Sequence, residues 1–266
     1  MTRELRAGFP TAHARYGSGA RKALFLHCSL ASHRAWMPVI KLLHDDLDMT
    51  AFDLPGHGRS GDWTEDDGDI HGLSARIAAS FCDGPTDIVG HSFGAAVGLR
   101  LAVERPDLVR RMVLVEPVFF AAARGTGAHA RHREQFEPVT DALARGDREQ
   151  ATRVFSNMWG GARDFDDLPT AQRRAMIDRI HLIAASSPGI EGDSGDLMAD
   201  GRLAATHVPT LLVSGTGSAP IIHAIHDSLR TRMPQAATQR IDGAGHMAPL
   251  THPETVADLI RAHLLD

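Results

Sequence analysis

Cysteine is scarce in this chain of 266 residues. Cys28 and Cys82 are the whole complement and share no repeated spacing, which argues against a disulfide framework and for two free thiols in a reducing compartment. Long apolar runs are missing as well. No stretch approaches the roughly 18 consecutive apolar residues of a spanning helix, and the opening Met1-Thr2-Arg3-Glu4-Leu5 leads into no signal-like apolar segment, so a cytoplasmic protein without membrane contact is expected. Neither sign of charge dominates. The formal net charge is -5 with basic residues scattered among acidic ones, which offers nucleic acid no electrostatic footprint. There is no H-E-x-x-H, and no carboxylate or cysteine cluster accompanies His223 and His226, which can share a helix face, so no metal and no cofactor are expected. Internal repeats and low-complexity tracts are absent too.

What is present is the composition of one large globular core, 43% hydrophobic and 23% charged. Apolar runs alternate with helical patterns, and strands are expected near residues 23–27, 49–53, 86–90, 111–116, 209–214 and 237–241, as in a parallel sheet covered on both faces. Residues 11–17 are expected to add an antiparallel edge strand. Thr251 and Glu254, with Pro253 between them, read as a capping box opening the last helix. Between Glu116 and the strand near 209 the alternation stops. Residues 118–205 read as several helices, with apolar bulk in Phe119, Phe120, Phe136, Phe155, Met158, Trp159, Phe165, Ile183 and Met198. Most of these are expected to form a small core of their own, and a minority to line an apolar pocket.

Gly90-His91-Ser92-Phe93-Gly94 is a G-x-S-x-G pentapeptide between the apolar pair Ile88-Val89 and a small-residue helical stretch. A strand turning sharply into a helix exposes a serine hydroxyl at a strained corner, and glycines flank it because side chains would strike neighbouring backbone. Gly94, Gly98 and Ala102 recur every fourth residue, one helix face able to lie close on a sheet. Further on, Asp242-Gly243-Ala244-Gly245-His246 places a histidine in a Gly-rich loop after an apolar strand, in the order of a base that follows its nucleophile. Near the start, Ala23-Leu24-Phe25-Leu26 runs into His27-Cys28-Ser29, a loop able to aim backbone N–H groups at an oxyanion. Asp53-Leu54-Pro55-Gly56-His57-Gly58 completes the set.

Together these motifs make the chain resemble the α/β-hydrolase superfamily from about Leu24 to the last helix. The resemblance implies an α/β-hydrolase fold with a mostly parallel sheet, a core of residues 1–117 and 206–266, and a helical cap inserted at 118–205. It implies Ser92 as nucleophile, His246 as base, and an oxyanion hole from the backbone N–H groups of Phe93 and Ser29. His27, Cys28 and His91 would support them from behind, Phe93 would wall the pocket with its ring, and Asp53 and His57 would be structural.

The acid departs from the family pattern. Its aspartate usually follows the strand before the histidine strand, where this chain has Val213-Ser214-Gly215-Thr216-Gly217-Ser218. Ser218 takes that place, where a substitution is expected to be nearly silent. A serine cannot hold an imidazolium by charge, so Glu116, ending the apolar run Met112–Val115, is the candidate, with Asp227 and Asp242 as weaker alternatives. The reading is a serine hydrolase acting on a small-molecule acyl substrate, a small or medium carboxylic ester or lactone. Same-fold carbon–carbon hydrolysis, acyl transfer or lyase chemistry is the alternative, and a non-catalytic binding module the reading from another class. Oligomeric state is open.

Overall fold

The computed structural model describes residues 1–160 and 164–265. Eight strands form one sheet: β1 (Thr2–Arg6), β2 (Phe9–Tyr16), β3 (Arg21–Leu26), β4 (Leu47–Phe52), β5 (Thr86–His91), β6 (Val109–Val115), β7 (Thr210–Gly215) and β8 (Ala236–Ile241), in the order β1-β2-β4-β3-β5-β6-β7-β8. The last six strands of the chain are parallel to one another, and β1 and β2 join antiparallel. The helices are α1 (Met37–Leu42), α2 (Ile70–Ala79), α3 (Phe93–Glu104), α4 (Gly127–Ala144), α5 (Arg148–Trp159), α6 (Thr170–Arg179), α7 (His181–Ile190), α8 (Pro220–Arg232), α9 (Ala248–Thr251) and α10 (Pro253–Leu265). The architecture is the α/β-hydrolase fold.

Parallel strands need crossovers, and crossover helices bury both faces of a sheet. Alternate residues of each central strand therefore go to different cores. Leu24, Leu26, Ile88, Met112, Leu114 and Leu212 meet α2, α3 and α8 on one face. Ala23, Phe25, Val89, Val113, Val115 and Val213 meet α1 and α10 on the other. The outer strand β1 is nearly all exposed and carries Arg3, Glu4 and Arg6, charges that discourage pairing with another sheet edge.

Two expectations need correction. Residues 9–16 do form an antiparallel strand, but it is not the edge: β1 pairs along it through a tight turn in which Ala7 and Gly8 have φ of 49° and 82°. The capping box at Thr251 does not form either. Ala248–Thr251 closes a helical turn of its own, the Thr251 hydroxyl lies against Met247 O and His252 Nδ1, and α10 starts one residue later.

Between β6 and β7 the chain leaves the sheet and builds α4 to α7 beyond its carboxyl edge. Val139, Ala142, Ala151, Ile180 and Ile183 pack there into a small core that reaches down to Leu30. Among the described residues no helix is long and apolar enough to cross a membrane.

Candidate active site

The loops after β3, β5 and β6 face one cavity of about 730 Å³ beneath α4, α5 and α7. Ser92 stands between β5 and α3 with φ 55° and ψ -118°, a backbone strain that persists because both flanks are locked. A Cβ on Gly90 would sit 2.6 Å from Ala95 Cα, and one on Gly94 2.3 Å from Leu26 O, so only glycine lets α3 approach the sheet this closely. The Ser92 N–H is fixed by Val115 O at 2.9 Å, and the side chain lines the cavity.

His246 follows β8 in a glycine-rich loop. Its Nε2 is 2.9 Å from Ser92 Oγ, and its Nδ1 is 3.1 Å from Glu116 Oε2. An ionised carboxylate only accepts, so Nδ1 carries the proton and Nε2 is left to accept the serine's. Glu116 sits one residue past β6, also in left-handed backbone, and is fully buried. Burial pushes its carboxyl up, but the hydrogen bond and charge of His246, with the Ser218 hydroxyl and the Gly215 N–H, outweigh that and hold it below the usual carboxylate value. Neither Asp227, on α8, nor Asp242, just after β8, reaches Nδ1.

Ser218 is not a bystander. Its hydroxyl donates to Glu116 Oε1, and the Gly215 N–H is shared between that oxygen at 2.9 Å and Ser218 Oγ at 2.8 Å. This contact bears against the expectation of a nearly silent position, because the side chain fills the gap between the end of β7 and Glu116.

The supporting residues tie loops together. His91 Nε2–H donates to His246 O at 2.8 Å, and burial keeps its imidazole neutral, down to about 3. His27 bridges Cys28 O at 2.7 Å and the Leu54 N–H at 3.0 Å. Cys28 is buried, and burial pushes its thiol up to about 12, so it remains a thiol at neutral pH. The Leu30 N–H donates to His57 Nε2 at 3.0 Å, which holds Leu30 at φ 60°. Asp53 in turn accepts from the His33 and Arg59 backbone. With Leu30 pinned this way, the Ser29 N–H makes no hydrogen bond among the described residues, and neither does that of Phe93, the first residue of α3. The Phe93 ring does not wall the cavity: it is buried and tilts against His71 at 5.8 Å.

Phe120, Phe136, Phe155, Trp159 and Ile183 line the cavity, so more of the apolar bulk in this region faces it than the sequence suggested; Phe119 and Phe165 are buried elsewhere. The Trp159 ring lies 4.6 Å from that of His246, tilted against it.

A family model described as "Alpha/beta hydrolase family" matches residues 23–259. The chain belongs to the alpha/beta hydrolase family. Among curated relatives, the lipase LipV of Mycobacterium tuberculosis is 31% identical, with 94% of this chain and 96% of LipV covered. The dihydrolipoyllysine-residue acetyltransferase component of the acetoin cleaving system of Cupriavidus necator is 29% identical over 97% of this chain and 67% of its own length. In fold, the chain superposes on an alpha/beta hydrolase from Sphaerobacter thermophilus with a TM-score of 0.76 at 20% identity, covering 98% of this chain and 99% of that one.

Proposed function

We propose that this family member is a serine hydrolase that cleaves a small or medium carboxylic ester or lactone through an acyl-enzyme. The observation that carries the reading is the unbroken chain Ser92 Oγ, His246 Nε2, His246 Nδ1, Glu116 Oε2, with contacts of 2.9 and 3.1 Å, opening on the cavity. In this reading His246 takes the proton of Ser92 as the oxygen attacks the acyl carbon. The N–H groups of Phe93 and Ser29 receive the oxyanion, and the imidazolium returns its proton to the leaving alcohol. Water, deprotonated by the same His246, then attacks the ester on Ser92, and the acid departs with the serine restored.

Glu116 fixes the His246 tautomer and offsets the imidazolium charge. Residues 118–205 act as a cap that keeps the acyl group dry. The chemistry calls on no metal or cofactor, and the protein works in the cytoplasm on a small acyl compound. The names of lipase and esterase relatives in Mycobacterium tuberculosis support ester chemistry.

A fluorophosphonate probe and a panel of p-nitrophenyl esters of increasing chain length, with lactones, test the reading. Labelling at Ser92 and turnover of at least one ester or lactone are expected. No labelling and no turnover would remove the hydrolase reading and favour a binding role.

A further inference from the structure

One histidine on the cavity wall has no task in the chemistry above. His132, on α4, is 4% exposed, and its ring stacks on Phe120 at 4.4 Å and meets Trp159 edge-on at 5.6 Å. It lines the same cavity as Ser92. Neither of its ring nitrogens forms a hydrogen bond to a described residue. Nor is either one sealed away like the orphan nitrogens of His71, His223 and His226, so they open onto the cavity. His129, one turn earlier, contrasts with it: its Nε2 meets Glu191 Oε2 at 3.1 Å.

Ring nitrogens that open onto a cavity with no described protein partner are available to whatever occupies it. We infer that His132 is a specificity-determining residue whose ring nitrogens hydrogen-bond a neutral polar group of the substrate, a carbonyl or hydroxyl set several bonds from the scissile carbonyl. The rings of His132 and His246 each pack on Trp159, at 5.6 and 4.6 Å, with no ring contact between the two among the described residues, so the two histidines contact different parts of one ligand.

The imidazole recognises that group by hydrogen bonds and not by charge: burial, with the neighbouring His129, pulls His132 down to about 4, and at neutral pH it offers one donor and one acceptor. A site with a hydrogen-bonding group in place discriminates against analogues lacking the matching group, while an apolar wall does not. The substrate class therefore narrows to oxo- or hydroxy-substituted esters and lactones, an inference that rests on the hydrolase reading.

The test compares p-nitrophenyl 4-oxopentanoate, 5-oxohexanoate and 6-oxoheptanoate with the unsubstituted esters of equal length. A parallel arm places the oxo group on the alcohol side, as acetates of hydroxyketones against plain alkyl acetates, followed by pH-stat. At least one oxo ester should exceed its plain counterpart about tenfold in kcat/KM. His132→Phe, which keeps the stack on Phe120, should abolish that preference by lowering kcat/KM for the oxo esters more than for the plain esters, and His132→Gln should restore part of it.

A preference unchanged in His132→Phe, no preference in either arm, or an equal loss on all esters would overturn the inference. Calorimetry of the same esters on Ser92→Ala separates the two claims. Tighter binding of oxo esters that vanishes in Ser92→Ala/His132→Phe supports His132 even if nothing is turned over, whereas turnover without any such binding difference leaves the hydrolase reading and removes this one.

Discussion

The Ser218 hydroxyl donates to Glu116 Oε1 behind His246, at the position where many alpha/beta hydrolases carry the acid itself. The carboxylate that meets His246 stands at the end of β6, and the Ser218 hydroxyl beyond the end of β7 holds it. Both strands end beside the same imidazole because they pair in register, Val115 against Val213.

Glu116→Gln should keep the fold and lower kcat by about 10³- to 10⁴-fold, since an amide tolerates the wrong His246 tautomer and cannot stabilise its cation. Steady-state kinetics with circular dichroism checks this. Activity within threefold of wild type would show that Glu116 is not the acid.

Ser218→Ala should lower kcat about tenfold with KM little changed, because Glu116 Oε1 keeps only the Gly215 N–H, and a hydrogen bond to a charged group contributes about 1.5–3 kcal/mol. Ser218→Thr should retain most of the activity. Equal rates for wild type and Ser218→Ala would mean that Gly215 suffices.

Ser92→Ala should abolish turnover and fluorophosphonate labelling while changing stability by no more than about 1 kcal/mol, as the hydroxyl faces the cavity and its loss opens no void in the core. Intact-mass analysis after labelling, beside a thermal melt, reads both. Substantial ester hydrolysis by purified Ser92→Ala would sink the nucleophile assignment.

Stability should fall on the acid side earlier than carboxylates alone would make it. His27, His57 and His91 are held neutral by burial, at about 4, 3 and 3 against 6.5 when unfolded. Below pH 6.5 the unfolded chain binds protons that the folded chain refuses, so stability is full above that value and is lost progressively towards about pH 3. Glu116, lowered from 4.5, adds its loss only below that value, until pH has fallen through its depressed folded one. Thermal melts from pH 8 to 5 should show the decline, and His57→Gln should flatten it. A melting temperature constant from pH 7 to 5 would contradict the buried neutral imidazoles.

Gly94→Ala should destabilise the elbow by at least the 1–3 kcal/mol typical of overpacking, because the new methyl would meet Leu26 O and His27 O, backbone atoms with no room to retreat. Urea unfolding measures it. A change under 0.5 kcal/mol would mean that α3 can lift from the sheet freely.

Local pattern determined the parallel sheet and the elbow, because strand period, helix period and the steric demand for glycine beside Ser92 are properties of neighbouring residues. The order Ser92 before His246, and the short strand that strands Glu116 at its end, were legible for the same reason. The N-terminal hairpin was missed because β1 is almost wholly exposed and carries no apolar alternation, and the Thr251 box because Ala248–Thr251 coils first. Only the tertiary structure decided that Ser218 supports Glu116, that His57 pins Leu30, and that His132 opens onto the cavity of Ser92. Those contacts join residues 102 and 27 positions apart, or helices packed above the sheet, and a hydrogen bond between distant loops leaves no period in the sequence that joins them.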